Sequence, residues 1–258
     1  MTKKYELVLD DTIDFLGWKL FRIRALISFG SVEVGDLGGY IQKGENLSHD
    51  GDAWVSDNAK VWGNAEVWGN AKVCGNAEVW GNAKVCGNAK VCGNAKVCGN
   101  AKVCGNAKVW GNAEVWGDAE VWGNAEVWGN AKVSDNAEVW GNAEVCGNAK
   151  VWGNAKVCGN AEVCGNAKVC GNAKVWGNAE VCGNAKVSEL GDIIVFKNHW
   201  SSGRHFTYTK SNKMWKVGCF HGTGRELIEK AYRDSEKSGN HYKAYVDFVE
   251  SLEKLDDQ

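Results

Sequence analysis

Apolar and polar positions alternate on a strict six-residue beat through half of this chain. From Ala53 to Ser188 the unit Ala-Lys/Glu-Val-Trp/Cys-Gly-Asn recurs. Its valines fall at 55, 61, 67 and onward to 187, giving 23 units without insertion or deletion. Within each unit Ala and Val stand two apart, as in Ala71-Lys72-Val73-Cys74. A period of two puts both on one face of a short strand and sends Lys72 and Cys74 to the other. Gly75-Asn76 then supplies a turn, because Gly and Asn best tolerate positive φ. A strand of four and a corner of two, repeated, must wind into a solenoid.

The flanks carry other patterns. In front, Phe21-Arg22-Ile23-Arg24-Ala25 alternates and is followed by Gly35-Asp36-Leu37-Gly38-Gly39 and Tyr40-Ile41. That predicts short strands and hairpins leading into the first coil. Behind the array, Ile193 to Phe196, His205 to Thr209 and Met214 to Phe220 read as strands. Thr223 with Glu226 forms a capping box for a helix carrying Leu227, Ile228 and Ala231 on one face. Gly239 is expected to break it, and a second helix from about Asn240 carries Tyr242, Tyr245, Val246, Val249 and Leu252. The predicted organisation is an N-terminal capping β module over residues 1–52, a solenoid over 53–188, and a C-terminal α+β module with two helices over 189–258.

The array resembles the hexapeptide-repeat proteins of the left-handed parallel β-helix. Their pattern places an aliphatic residue inward and a small residue two positions before it, as Val61 with Ala59 and Val67 with Ala65 do here. The resemblance implies a mainly β fold with three hexapeptides per coil, so that residues 18 apart stack on one flat face. It implies about seven and a half coils and a rod roughly 36 Å long at the ~4.8 Å strand spacing. Ala and Val fill the narrow interior, with Asn ladders along the corners. Trp or Cys after each valine departs from the family pattern, which carries Gly, Ala or an acid there. The flanks are similar to segments of uncharacterised bacterial and phage- or prophage-encoded hexapeptide-repeat proteins, through FRIRAL, GDLGGYI and NLSHDG in front and SSGRHFTYTKS and MWKVGCFHGTG behind.

Charge and composition narrow the function. The net charge is −2, which argues against binding nucleic acid through bulk charge. Proline is absent, as suits a backbone committed to ladder hydrogen bonds. The first residues lack the apolar run of a signal peptide, and no stretch approaches a membrane span, so a soluble cytoplasmic location in a bacterial or phage-infected cell is expected. Ten of the eleven cysteines lie in the array. In a reducing cytosol they are expected to be thiols, even though rungs stack within disulfide range.

The outward positions carry the candidate interaction surface. Tryptophans follow valine at ten positions, among them Trp62, Trp80, Trp110, Trp116, Trp122, Trp128 and Trp140. The stacked pairs are expected to be Trp62 with Trp80, Trp110 with Trp128 and Trp122 with Trp140. Each indole offers on the order of 200 Å², so clustered rings call for a cover: a partner, a second copy or a stacking ligand. One face reads Lys72, Lys90, Lys108, Glu126, Glu144, Glu162 and Glu180 before its valines. Like charges one strand apart repel. Two copies packed antiparallel about a two-fold between Trp110 and Trp128 would set Lys against Glu. A different account is recent tandem copying, since the Trp/Cys and Lys/Glu alternations match single-base codon changes.

Chemistry is sparse. Many relatives with this repeat are acyltransferases whose site uses a histidine as general base and usually a loop breaking the repeat. Here the array holds neither histidine nor loop, so an acyltransferase is the weaker alternative. His49 and His199 flank the array, and Cys219 and His221 are expected to share one strand face without an orienting third group. No catalytic, cofactor-binding or metal-ligating residue is assigned. The function expected is a non-enzymatic, rigid interaction surface or oligomeric scaffold. The binding alternative is a protein that sequesters a small anionic or aromatic ligand between its Lys and Trp rows.

Overall fold

The computed structural model of the protein describes residues 3–256. Twenty-three two-residue strands, β4 (Trp54–Val55) to β26 (Lys186–Val187), form a parallel β-solenoid. Each pairs with the strand three further on, so Val61 lies against Val79 and Val79 against Val97. The spacing of 18 follows directly. The coils present three flat faces: β5, β8 and onward to β26; β4, β7 and onward to β25; β6, β9 and onward to β24. We call these the first, second and third faces.

Every alanine and valine of the array points inward and is buried. Burying one valine side chain contributes about 1.5–3 kcal/mol. Between units the chain turns at glycines with φ from 63° to 75°. At Gly99 (φ 71°) a Cβ would stand 2.9 Å from the backbone of Gly117, so both conformation and stacking demand glycine. Asp57 and Asp135 occupy the same corner with φ 56° and 59°. Each turns its carboxylate to the glycine N–H one coil on, Gly75 at 2.8 Å and Gly153 at 3.0 Å, which offsets the unfavourable backbone.

The corner asparagines form ladders in which Nδ2 donates to Oδ1 eighteen residues later, for example Asn88 to Asn106 and Asn106 to Asn124 at 3.0 and 2.9 Å. Asn178 ends one ladder against His205 Nδ1 at 3.1 Å.

The N-terminal segment is more continuous with the solenoid than its sequence suggests. β1 (Tyr5–Phe15) and β2 (Trp18–Ala25) make an antiparallel hairpin. β3 (Leu37–Ile41) joins β2 to β5, so the three extend the first face beyond the first repeat. Ile41 pairs with Val61 and Leu47 bridges Val67, both separated by 20 residues. Inward packing therefore begins before Ala53, in a coil two residues longer than the rest. Donors cover the carbonyls at this end: Lys4 Nζ bonds Gly51 O and Ala53 O at 3.0 and 2.9 Å. Asn46 Nδ2 bonds Gly63 O and Ala65 O at 3.2 and 2.8 Å. Exposed sheet ends are a pairing hazard, and these contacts close one.

At the other end β27 (Ile193–Lys197), β28 (His205–Thr209), β29 (Met214–Val217) and β30 (Phe220–Thr223) form an antiparallel sheet. Hydroxyls cap the last coil: Thr207 Oγ1 accepts from Glu180 N at 2.9 Å and Ser211 Oγ from Lys186 N at 2.7 Å. Helices α1 (Gly224–Asp234) and α2 (Glu236–Asp256) follow. Phe206, Tyr208, Trp215, Leu227, Tyr242 and Val246 build their shared core.

Two expectations here need correcting. The helix break falls at Ser235, whose φ is −169°, and not at Gly239, which lies inside α2. Gly239 is small because a Cβ there would meet the Tyr232 ring at 2.2 Å. Cys219 lies between β29 and β30, so it does not share a strand face with His221.

Candidate interaction surface

The second face brings Lys72, Lys90, Lys108, Glu126, Glu144, Glu162 and Glu180 into one row, one residue per rung. At the sign change Lys108 Nζ meets Glu126 Oε1 at 2.7 Å. The glutamate half is the more crowded. Burial raises the Glu162 carboxyl above its usual range, and the Glu180 and Glu144 charges add to the effect against Lys216. Lys216, from β29, reaches Glu180 at 3.4 Å, and at the lysine end Lys72 Nζ lies 3.3 Å from Ser31 Oγ. The two terminal segments thus bracket the row.

Beside these charges Trp110 and Trp128 stack with centroids 5.3 Å apart and planes 18° from parallel. Trp110 is 42% exposed. The other expected pairs also form: Trp62 on Trp80 at 5.1 Å on the first face, and Trp122 on Trp140 at 5.5 Å on the third. The candidate residues therefore divide among three faces and cannot all meet one flat partner. Trp62 is withdrawn altogether. Phe15 packs edge-on against it at 5.4 Å, and it is only 4% exposed. Trp116 stands on the first face beneath Lys132, whose Nζ lies 5.6 Å from the ring centroid.

No protein-family model matches the chain, and no curated protein matches it. What the surface can do follows from its own chemistry.

The cysteines depart from the expectation of free thiols. Cys74–Cys92, Cys86–Cys104 and Cys164–Cys182 are disulfide-bonded, with Cα atoms 4.6–4.7 Å apart. The parallel register itself delivers this separation, which lies in the bonding range. Cys98, Cys146, Cys158, Cys170 and Cys219 are free. Burial pushes the Cys146 thiol up to about 11, with Glu162 and Glu144 reinforcing it. Glu162, Cys164 and Cys182 lie close together, but the disulfide between the two cysteines removes both thiolates as ligands.

His199 and His241 lie with ring centroids 5.6 Å apart, and the other histidines are dispersed among structural contacts. His49 stacks on Tyr5 at 4.4 Å, and His199 lies 3.4 Å from the Tyr245 hydroxyl. His205 closes the asparagine ladder, and His221 sits against Gly183 of the last coil. Sequence spacing missed Lys4, the buried cation at the solenoid mouth. Burial pulls its ammonium down to about 8, against the pull of Asp52 and Asp50. One of two adjacent lysines, Lys3 and Lys4, ahead of an apolar run carries no signal for this role. No helix among the described residues is long and apolar enough to cross a membrane.

Proposed function

We propose that the protein is a rigid interaction scaffold that associates with a second copy of itself through the second face. One observation carries the reading: this face inverts its charge about the Trp110–Trp128 stack, from Lys72, Lys90 and Lys108 to Glu126, Glu144 and Glu162. Rotation by a two-fold axis through that point sets each lysine opposite a glutamate of the partner and indole against indole. An isologous contact of this form is the commonest route to a homodimer. It also neutralises like-charge ladders that are unfavourable in the isolated chain. Rim charges give specificity and orientation, and the aromatic centre gives affinity.

The finer reading of the solenoid as a left-handed hexapeptide-repeat helix, and of the chain as a phage- or prophage-encoded protein, rests on the repeat pattern and the flanking motifs. Light scattering on the Lys72→Glu, Lys90→Glu, Lys108→Glu triple variant tests the association. The expected result is a halved mass relative to the unaltered protein. An unchanged mass contradicts it.

A further inference from the structure

A second feature stands on the first face, away from the charge-inverting row. Along this face Trp116, Ser134 and Trp152 occupy successive rungs at the position after valine. Ser134 is the one serine among the interior rungs of the array; Ser56 and Ser188 lie in its first and last units. Its small side chain leaves a gap where the neighbouring rungs carry indoles. The gap is a cavity of about 460 Å³ walled by Trp116 and Trp152, with Lys132, Lys150 and Lys168 along one side.

The dimensions match one planar ring. Two rung steps separate the tryptophans, about 9.4 Å at the usual strand spacing. A flat ring between two others needs about 3.5–4.0 Å of carbon contact on each side. Where the array does place an indole on the adjacent rung, the rings stack with centroids 5.1–5.5 Å apart, inside the range of favourable offset stacking. Ser134 thus interrupts an aromatic column, its own side chain covered at the floor of the notch and 7% exposed. Cys98 and Cys158 also stand between tryptophans and are half-buried, but no row of lysines like that beside Ser134 accompanies either.

The charge beside the gap has one sign. Lys132, Lys150, Lys168 and Lys186 follow one another on successive rungs. Lys132 is held by Glu114 at 3.0 Å. Among the described residues no carboxylate pairs with Lys150 or Lys168, and both are exposed. Stacked ammonium groups one rung apart repel, and an anion between them relieves that repulsion.

We propose that the Ser134 notch binds a small planar aromatic anion: a single ring system inserted between Trp116 and Trp152, with its carboxylate or phosphate against Lys150 and Lys168. The ring displaces the Lys132 ammonium from the face of Trp116, and Glu114 retains that lysine at the rim. The site is independent of the association through the second face, so either can fail alone.

Isothermal titration with three probes tests it: indole-3-acetate, neutral indole, and acetate. Indole-3-acetate should bind once per chain, and at least tenfold more tightly than either fragment. Ser134→Trp fills the gap with the indole that the repeat carries elsewhere and should abolish binding while leaving the circular dichroism and melting temperature in place. Lys150→Gln with Lys168→Gln should weaken indole-3-acetate at least tenfold and leave indole unaffected, which keeps the test valid if Ser134→Trp does not fold. Absence of saturable binding overturns the proposal. So does binding that survives filling the notch, because the probe is then stacking on exposed rings such as Trp122 or Trp176, 40% and 64% exposed.

Discussion

Asn100 donates from Nδ2 to Asp118 Oδ1 at 2.7 Å, and the ladder stops there. A carboxylate accepts but has no amide hydrogen to pass on. The ladder resumes only with Asn136 to Asn154 at 3.1 Å. Asp118→Asn should reconnect the two halves. A neutral hydrogen bond contributes about 0.5–1.5 kcal/mol, so urea unfolding should report a gain near that size. A loss would show that Asp118 is held by interactions stronger than the ladder.

Lys4 predicts a pH dependence. Its ammonium is buried at the solenoid mouth near Phe29, Asp50 and Asp52, with His49 Nδ1 accepting from the Lys4 backbone N–H, and its folded-state pKa is lowered to about 8 from 10.5. Below pH 8 both folded and unfolded chains hold the proton and burial penalises the folded one. Between about pH 8 and 10.5 the unfolded chain binds more protons, so this group's contribution to stability rises with pH. The stability of the unaltered protein relative to Lys4→Met, measured by urea unfolding, should increase across that window. A difference that stays flat contradicts the buried cation.

The cysteine pairing predicts a thiol count. Denatured but unreduced protein should titrate five thiols, and reduced protein eleven. In the native state Cys219 should react first because it is exposed. Cys146 should lag, since burial suppresses its thiolate and the thiolate is the nucleophile. Eleven thiols without reduction would mean that the stacked pairs are open in the isolated protein.

The solenoid was legible because its unit is short, exact and physically redundant. Ala and Val two apart decide the inward face, Gly-Asn decides the corner, and every rung repeats the decision. Less was legible where the pattern degrades. Ile41 and Leu47 do the work of valines in a coil offset by 20 residues; they stand six apart but two residues out of phase with the valines, so the register counted from Val55 passes over them. Gly239 reads as a helix stop, yet it serves the packing of Tyr232. The outward residues follow the register well, but Trp62 shows its limit: the hairpin that covers it comes from sequence distant by more than forty residues. Lys4 lies beyond any local rule, since only the finished coil creates the carbonyls it binds.

Charge exchange between two chains tests the self-association most directly. One variant carries Lys72→Glu, Lys90→Glu and Lys108→Glu; the other carries Glu126→Lys, Glu144→Lys and Glu162→Lys. The six rungs from 72 to 162 then bear a single sign in each variant, and across an antiparallel two-fold each variant repels its own kind and attracts the other. Native mass spectrometry should find each variant monomeric alone and a one-to-one heterodimer on mixing, weakened by salt. Two monomers in the mixture, or homodimers in either variant alone, would contradict the account.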